Sequence, residues 1–289
     1  MISMITLTTD FGLRDPFVGI MKGVILSIAP EARLVDLTHE ITPGDVFTAA
    51  LTLESALPYF PERSVHLVVV DPGVGSERKP VAIQLNNQYF VGPDNGVFSP
   101  AVDDINKQIT SESKQPHAHI VHLTNEDYFH HPVSSTFHGR DIFAPVAAYL
   151  ARGVDINQFG SPVQSIHSLS IPKIRQKGDG VVVAEVIAVD HFGNLITNFK
   201  QEDLAIHQHD VNQAVIEVGV GTAPRKNSAD WSDPITIIGI SRTFSEVETG
   251  EPVAYFAGTG RLEIAIRDGD AAGQWLLGRG SQVKVVLRR

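Results

Sequence analysis

The chain contains no cysteine. That absence excludes disulfides, thiolate nucleophiles, Cys-ligated zinc and iron–sulfur clusters. Positive charge is also scarce: Lys and Arg number 23 against 33 Asp and Glu, a formal net charge of −10. Nucleic-acid binding is driven by Lys and Arg displacing counterions from phosphates, so nucleic acid is not an expected partner. Long apolar runs are missing too. The longest, such as Leu67–Val70, are strand-length and far short of the roughly 20 residues of a membrane span. The Met1–Asp10 stretch lacks a basic region and reads as a first strand, not a signal peptide. A cytoplasmic protein without membrane association is expected. What the chain does have suits a packed core: 43% hydrophobic and 19% charged residues over 289 positions. At roughly 150 residues per domain, that length predicts about two domains.

Strand and helix signals alternate through the first half. Met4–Thr9, Leu34–Leu37 and Val65–Val70 read as strands, with Val81–Leu85 and Tyr89–Val91 after them. Asp15-Pro16 reads as an N-cap with Pro at the first helical position, opening a helix to Ile28. Asp45–Leu57 places Val46, Ala49, Ala50, Leu53 and Leu57 at helical spacing. Phe137–Leu150 is a third helix, whose regular part Pro145 delays. The alternation predicts an α/β N-terminal domain with a mostly parallel sheet over residues 1–163. Ser161-Pro162 and the basic Pro172–Lys177 stretch look like linker, with the linker proper placed at 164–177. Over 178–289 β-prone runs dominate: Val181–Val189, Leu195–Phe199, Val211–Val218, Ile235–Ile240, Val253–Phe256, Leu262–Ile266 and Val283–Leu287. They predict a C-terminal all-β, barrel-like domain.

Ligands of open α/β sheets sit at the carboxyl ends of strands, where Asp10 and Asp71 fall. Each also has a plain reading as a turn-capping residue. The loop Asp71-Pro-Gly-Val-Gly-Ser-Glu-Arg78 lacks both the Gly-Lys-Ser/Thr and the Gly-x-Gly-x-x-Gly endings of phosphate loops. Its terminal carboxylate and guanidinium form either a loop-stiffening ion pair or part of a site. His138, at the start of a predicted helix, is placed where its imidazole stays neutral. His117, His119, His130, His131, His207 and His209 fall in polar, loop-like segments and read as solvated. No histidine or carboxylate spacing fits a metal, so no metal and no cofactor is expected. Asp10-Phe-Gly12 and His138-Gly-Arg-Asp141 look superficially like kinase motifs, but their order is reversed and the glycine-rich loop with its strand lysine is missing. Asp190-His-Phe-Gly-Asn194 is either a hairpin turn alone or a turn that presents the Asn194 amide to an adenine edge.

Taken in order, Thr9-Asp10-Phe-Gly-x-x-Asp15, Thr42-Pro43-x-Asp45-Val46, Asp71-Pro-Gly-Val-Gly-x-x-Arg78, Gly92-Pro-Asp-Asn-Gly96, Phe137-His138-Gly-Arg-Asp141 and Asp190-x-Phe-Gly-Asn194 form one ordered set. It resembles the S-adenosyl-L-methionine (SAM) hydroxide adenosyltransferase family, relatives of fluorinases and chlorinases. The resemblance implies an N-terminal α/β domain, a C-terminal β-barrel and a homotrimer with active sites at subunit interfaces. By the same resemblance Asp71, Arg78 and His138 match a water-handling catalytic trio. Asp10 matches the residue that accepts the ribose hydroxyls, Asp15 and Asp190 those that hold the methionine ammonium, and Asn194 the reader of adenine. Phe192, Phe244 and residues 268–272 complete the base pocket. Gly44 departs from the fluorinase pattern, which carries a large aromatic there. The short Asn86-Asn-Gln88 link, where fluorinases carry an insertion, favours a hydrolase.

The implied activity is hydrolysis of SAM to adenosine and L-methionine by attack of an activated water at C5′. Two alternatives stand beside it. One is a halide-dependent adenosyltransferase forming 5′-halo-5′-deoxyadenosine. The other is a non-catalytic adenosine- or SAM-binding protein.

Overall fold

The computed structural model describes residues 4–102, 118–178, 180–204, 211–219 and 234–287. His117, His207 and His209 lie outside them. The chain divides into two compact units, Met1–Ser170 and Ile171–Arg289.

The first unit carries β1 (Met4–Thr9), β2 (Arg33–Thr38), β3 (Val65–Val69), β4 (Pro80–Leu85), β5 (Gln88–Pro93), β6 (His119–Leu123) and β7 (Gly160–Val163). They form one sheet in the order β2-β1-β3-β5-β4-β6-β7. The pairings β2–β1, β1–β3 and β3–β5 are parallel, while those from β5 through β4 and β6 to β7 are antiparallel. The mostly parallel sheet expected from the sequence is therefore parallel only through its first four strands. The cause is local. Asn86 and Asn87 both adopt positive φ (47° and 60°), and a two-residue turn of that kind closes a hairpin, which is antiparallel by construction.

Helices α1 (Phe17–Ile28), α2 (Val46–Ala56) and α3 (Ala144–Ala151) cover the sheet. β3 shows why both faces need covering. Leu67 and Val69 join one core with Met21 and Ile25 of α1, whereas Val68 and Val70 join a second with Ala50 and Leu53 of α2. A strand buried on both faces reads as a continuous apolar run, as this one does.

Two local expectations are corrected. Asp15 does not cap α1: the helix starts at Phe17, the residue at the cap position is Pro16, and no side chain caps it. Asp15 stands one residue too far out and is exposed. By contrast, Asp45 caps α2, accepting from the Thr48 amide at 3.1 Å. Ser161-Pro162 is not linker but part of β7, paired with Val121 and His122 of β6. β7 is an edge strand, the one place in a sheet where proline's missing N–H costs little.

The second unit carries β8 (Arg175–Gln176), β9 (Val181–Val189), β10 (Leu195–Lys200), β11 (Val215–Val218), β12 (Ile235–Ile238), β13 (Pro252–Phe256), β14 (Arg261–Ile266) and β15 (Gln282–Val286). Seven of them run in the order β12-β11-β15-β9-β10-β14-β13, with β8 paired to β9. Neighbouring pairs are antiparallel throughout. The two ends of the sheet curl towards each other: Ser241, just past β12, bridges Tyr255 of β13 and donates its amide to Ala254 O at 2.8 Å. The sheet is thus a nearly closed barrel around Val186, Phe199, Leu262, Ile264 and Val285.

Candidate active site

β1 and β3 are parallel neighbours in straight register, Leu7 beside Leu67 and Thr9 beside Val69. The loops that follow them leave from the same sheet edge and bring Asp10 and Asp71 onto one rim. Residues 71–78 then fold tightly, with the Val74 amide donating to Asp71 O at 3.2 Å and Ser76 Oγ to Gly73 O at 2.6 Å. Gly75 has φ +77°, and a Cβ there would lie 2.6 Å from Ser135 O. Only glycine lets this loop seat against the segment that precedes His138.

The fold-back puts Arg78 on Asp71. Nε donates to Oδ1 at 2.9 Å and Nη2 donates to Oδ2. The two side chains are only 9% and 6% exposed. The pair does more than stiffen a loop, because Nη2 also lies 2.8 Å from His138 Nδ1. A guanidinium has no acceptor, so Nδ1 must accept, and the imidazole is neutral with its proton on Nε2. Burial, and then the Arg78 charge, push the His138 pKa below its ordinary value; Asp71 and Asp141 pull the other way.

Asp71 and His138 line a cavity of about 310 Å³ together with Asp10, Phe11, Phe17 and Phe137. Arg78 is not in that lining and sits with its guanidinium carbon 5.2 Å from the Phe143 ring centre. It holds the two lining groups from behind. The three Phe rings meet edge to face at 5.5–6.0 Å, an apolar wall that sequence reasoning missed because Phe137 is far along the chain from the other two. Asp10 Oδ2 accepts from the Gly44 amide at 2.8 Å; Gly44 has φ +77°.

Also missed was His39. Its Nδ1 is 2.9 Å from Thr9 Oγ1, its Nε2 is 3.1 Å from Asp36 Oδ1, and its carbonyl accepts from the Gly12 amide at 2.7 Å. One buried side chain and its own backbone thereby tie down the loop that carries Asp10.

The second unit holds a cavity of about 670 Å³, whose lining includes Asp190, Phe192, Asn194, Phe244 and Glu263. Phe192 and Phe244 are 72% and 55% exposed, bare apolar faces of the kind a planar ring stacks on. The Asp190 turn links β9 to β10, and Asp190 spends both oxygens inside it. Oδ1 accepts from the amides of Phe192 and Asn194 at 2.9 and 2.8 Å, and Oδ2 from Asn194 Nδ2 at 2.8 Å. The hairpin reading therefore holds, and Asn194 lies in the cavity lining. Segment 268–272 meets this turn: the Ala272 amide donates to Gly193 O at 2.9 Å, and Asp268 and Gly269 join the lining.

Asp15 belongs to neither lining. His119 and His131 are tied to Asn157 and to Glu126 O, and the His130 amide donates to Asp141 O. Among the described residues no three His, Cys, Asp or Glu side chains are grouped as a metal site requires. Glu263 and Tyr255 went unnoticed in the sequence, although the strand alternation marks them. Leu262, Ile264 and Ile266 of β14 face the core, which turns Glu263 to the opposite face.

Two family models match the chain: the SAM hydroxide adenosyltransferase N-terminal domain over residues 5–160 and the corresponding C-terminal domain over residues 184–284. An (R)-S-adenosyl-L-methionine hydrolase of Salinispora tropica is 37% identical over 270 residues, 93% of this chain and 92% of that protein. One from Thermus thermophilus is 36% identical over 282 residues, 96% of this chain and 97% of its own. A fluorinase of an Actinoplanes species is 24% identical over 291 residues, 91% and 90% of the two chains. The crystal structure of an uncharacterized conserved protein from Thermotoga maritima superposes with a TM-score of 0.84 at 35% identity, covering 98% of this chain and 100% of that one.

Proposed function

The chain belongs to the SAM hydroxide adenosyltransferase family, and on that premise we propose that it hydrolyses S-adenosyl-L-methionine to adenosine and L-methionine. The observation that carries this reading is full-length similarity to (R)-SAM hydrolases at 35–37% identity, against 24% for fluorinases. The halide-dependent alternative is correspondingly weaker. A binding protein without turnover would have no use for the half-buried Asp71–Arg78–His138 arrangement.

The sulfonium departs as a neutral thioether, so the leaving group needs no acid and the demand falls on the nucleophile. Forming free hydroxide from water of pKa near 15.7 at neutral pH costs about 12 kcal/mol, at roughly 1.36 kcal/mol per pKa unit. The site reduces that cost by position. His138 Nε2–H donates to the water oxygen and Asp71 accepts one of its protons. The remaining lone pair is then directed at C5′. A positioned base contributes about 10²–10⁴-fold; alignment and the attraction between developing hydroxide and sulfonium supply the rest. Asp71 and His138 are the catalytic residues in this scheme. Arg78 positions both, since it touches each and is not in the lining of the cavity that they share.

Asp10 takes the ribose hydroxyls, Asn194 the adenine, and Phe192 and Phe244 its faces. Asp190 acts at least in part through Asn194, whose amide it orients. Asp15 retains its assignment to the methionine ammonium by family resemblance alone. We further propose a homotrimer, with each site completed by a neighbouring subunit. What supports it is that Asp71, His138 and Asp10 line a cavity of one unit and Asn194, Phe192 and Phe244 a cavity of the other.

Turnover in isotopically labelled water tests the reaction. The label is expected at the 5′-oxygen of adenosine. Product formed only with added chloride or fluoride, as 5′-halo-5′-deoxyadenosine, would overturn it.

A further inference from the structure

The lining of the barrel cavity carries more negative charge than its own cations neutralise. Arg242 and Arg267 both line it, yet each has a carboxylate of its own. Arg242 Nε is 3.0 Å from Glu246 Oε1. Arg267 Nε is 3.7 Å from Asp268 Oδ2, and its Nη1 donates to Val247 O at 2.6 Å. Among the described residues neither Asp190 nor Glu263 has such a cation. Asp190 is satisfied by neutral N–H groups of its turn.

Glu263 is less well provided for. It is 8% exposed, and it lies on β14 between Ile196 of β10 and Tyr255 of β13. The Tyr255 hydroxyl donates to Oε2 at 3.1 Å, which leaves Oε1 without a partner among the described residues. Burying a carboxylate with one neutral donor and a second carboxylate nearby is unfavourable until a counter-charge arrives. The Glu263 carboxyl is raised above its ordinary pKa by burial and by the Asp190 charge, and burial and the Glu263 charge push the Tyr255 hydroxyl up as well. The phenol therefore stays protonated and keeps donating.

Resting on the reaction proposed above, we propose that Glu263, braced by Tyr255, is a specificity residue of the barrel cavity that takes the α-ammonium of the methionine moiety. Of the two cationic groups of SAM, the ammonium is the one that matches. It offers three N–H donors to Oε1, whereas a sulfonium offers none. Product adenosine lacks both, so the same residue favours substrate over product.

Calorimetric titration of the full-length protein and of Glu263→Gln tests this with three ligands. They are SAM, adenosine, and 5′-dimethylsulfonio-5′-deoxyadenosine, which keeps the sulfonium and lacks the ammonium. Glu263→Gln is expected to weaken SAM about tenfold or more while adenosine and the truncated sulfonium bind as to wild type. In turnover the KM for SAM rises and kcat stays within about twofold. Unchanged SAM affinity, or an equal loss for all three ligands, overturns the proposal. If Glu263→Gln does not fold, Tyr255→Phe is measured instead. It leaves the carboxylate and removes its brace, and is expected to show a smaller loss confined to SAM; equal affinities there count against the proposal. Wild type that binds SAM but releases no adenosine defeats the reaction, while the binding comparison still decides the role of Glu263.

Discussion

Replacing Arg78 by lysine separates the bridge from the charge. Lysine keeps a cation beside Asp71, so the buried carboxylate is not left unpaired, an outcome that costs about 3–5 kcal/mol when a partner is removed outright. What lysine lacks is the planar fork. Arg78 donates to both Asp71 oxygens and to His138 Nδ1; one ammonium on a single stem does not span all three. Hydrogen bonds to charged groups contribute about 1.5–3 kcal/mol each. Losing the Nδ1 bond and one bond to Asp71 thus removes roughly 3–6 kcal/mol of restraint. Only the share felt in the transition state appears in the rate. A fall in kcat of about 10²–10³-fold is expected, equivalent to about 2.7–4 kcal/mol. KM should hardly move, because Arg78 is not among the residues lining the cavity. Adenosine release at saturating SAM, followed by chromatography, gives kcat, and a thermal melt confirms that the variant is folded. An Arg78→Lys enzyme keeping more than about a tenth of wild-type kcat would refute the view that the guanidinium aligns both groups.

Two further outcomes concern stability. Burial lowers the His66 pKa from 6.5 to about 4, only partly offset by a hydrogen bond with Gln88, and its Nδ1 is 2.9 Å from Thr6 Oγ1. The unfolded chain takes up this proton first. The native state therefore has its full stability above pH 6.5 and loses it as pH falls towards 4, by about 3 kcal/mol at 1.36 kcal/mol per pKa unit. Urea unfolding at a series of pH values should show this slope in wild type and a flatter one in His66→Leu; equal slopes would contradict it. Gly75→Ala forces a Cβ to within 2.6 Å of a backbone oxygen at φ +77°. The strained φ alone costs about 1–2 kcal/mol, so a lower melting temperature together with reduced kcat is expected, and wild-type values for both would show that the loop yields.

The legibility of the chain varied with the distance over which its interactions act. Asp71 and Arg78 are seven residues apart in a glycine-rich loop, and their pairing is visible as a loop-closing ion pair before any fold is known. His138 is 60 residues further on, and no spacing brings it there; only the ordered motif set did. The three strands before the hairpin read as parallel because apolar runs alternate with helices. The switch to antiparallel pairing was hidden in two asparagines whose positive φ is weakly encoded. Ser161-Pro162 looked like linker because proline is rare in strands, and whether a strand lies at an edge is a tertiary fact. Glu263 was overlooked for the opposite reason. Its alternation with Leu262 and Ile264 is plain, but a single acidic residue in a β-run draws no notice until the other face proves to be a cavity.

The turn made by Asp190 has a consequence for how fast recognition proceeds. Its carboxylate clamps the Asn194 side chain from within the turn, so the rotamer entropy of that amide, a share of the roughly 0.5–1.5 kcal/mol typical of a side chain frozen on binding, is surrendered when the chain folds. If Asn194 reads the adenine as proposed, an arriving nucleoside base would meet a hydrogen-bonding edge already aimed. Association would then wait on diffusion and orientation of the small molecule, not on a search by the protein.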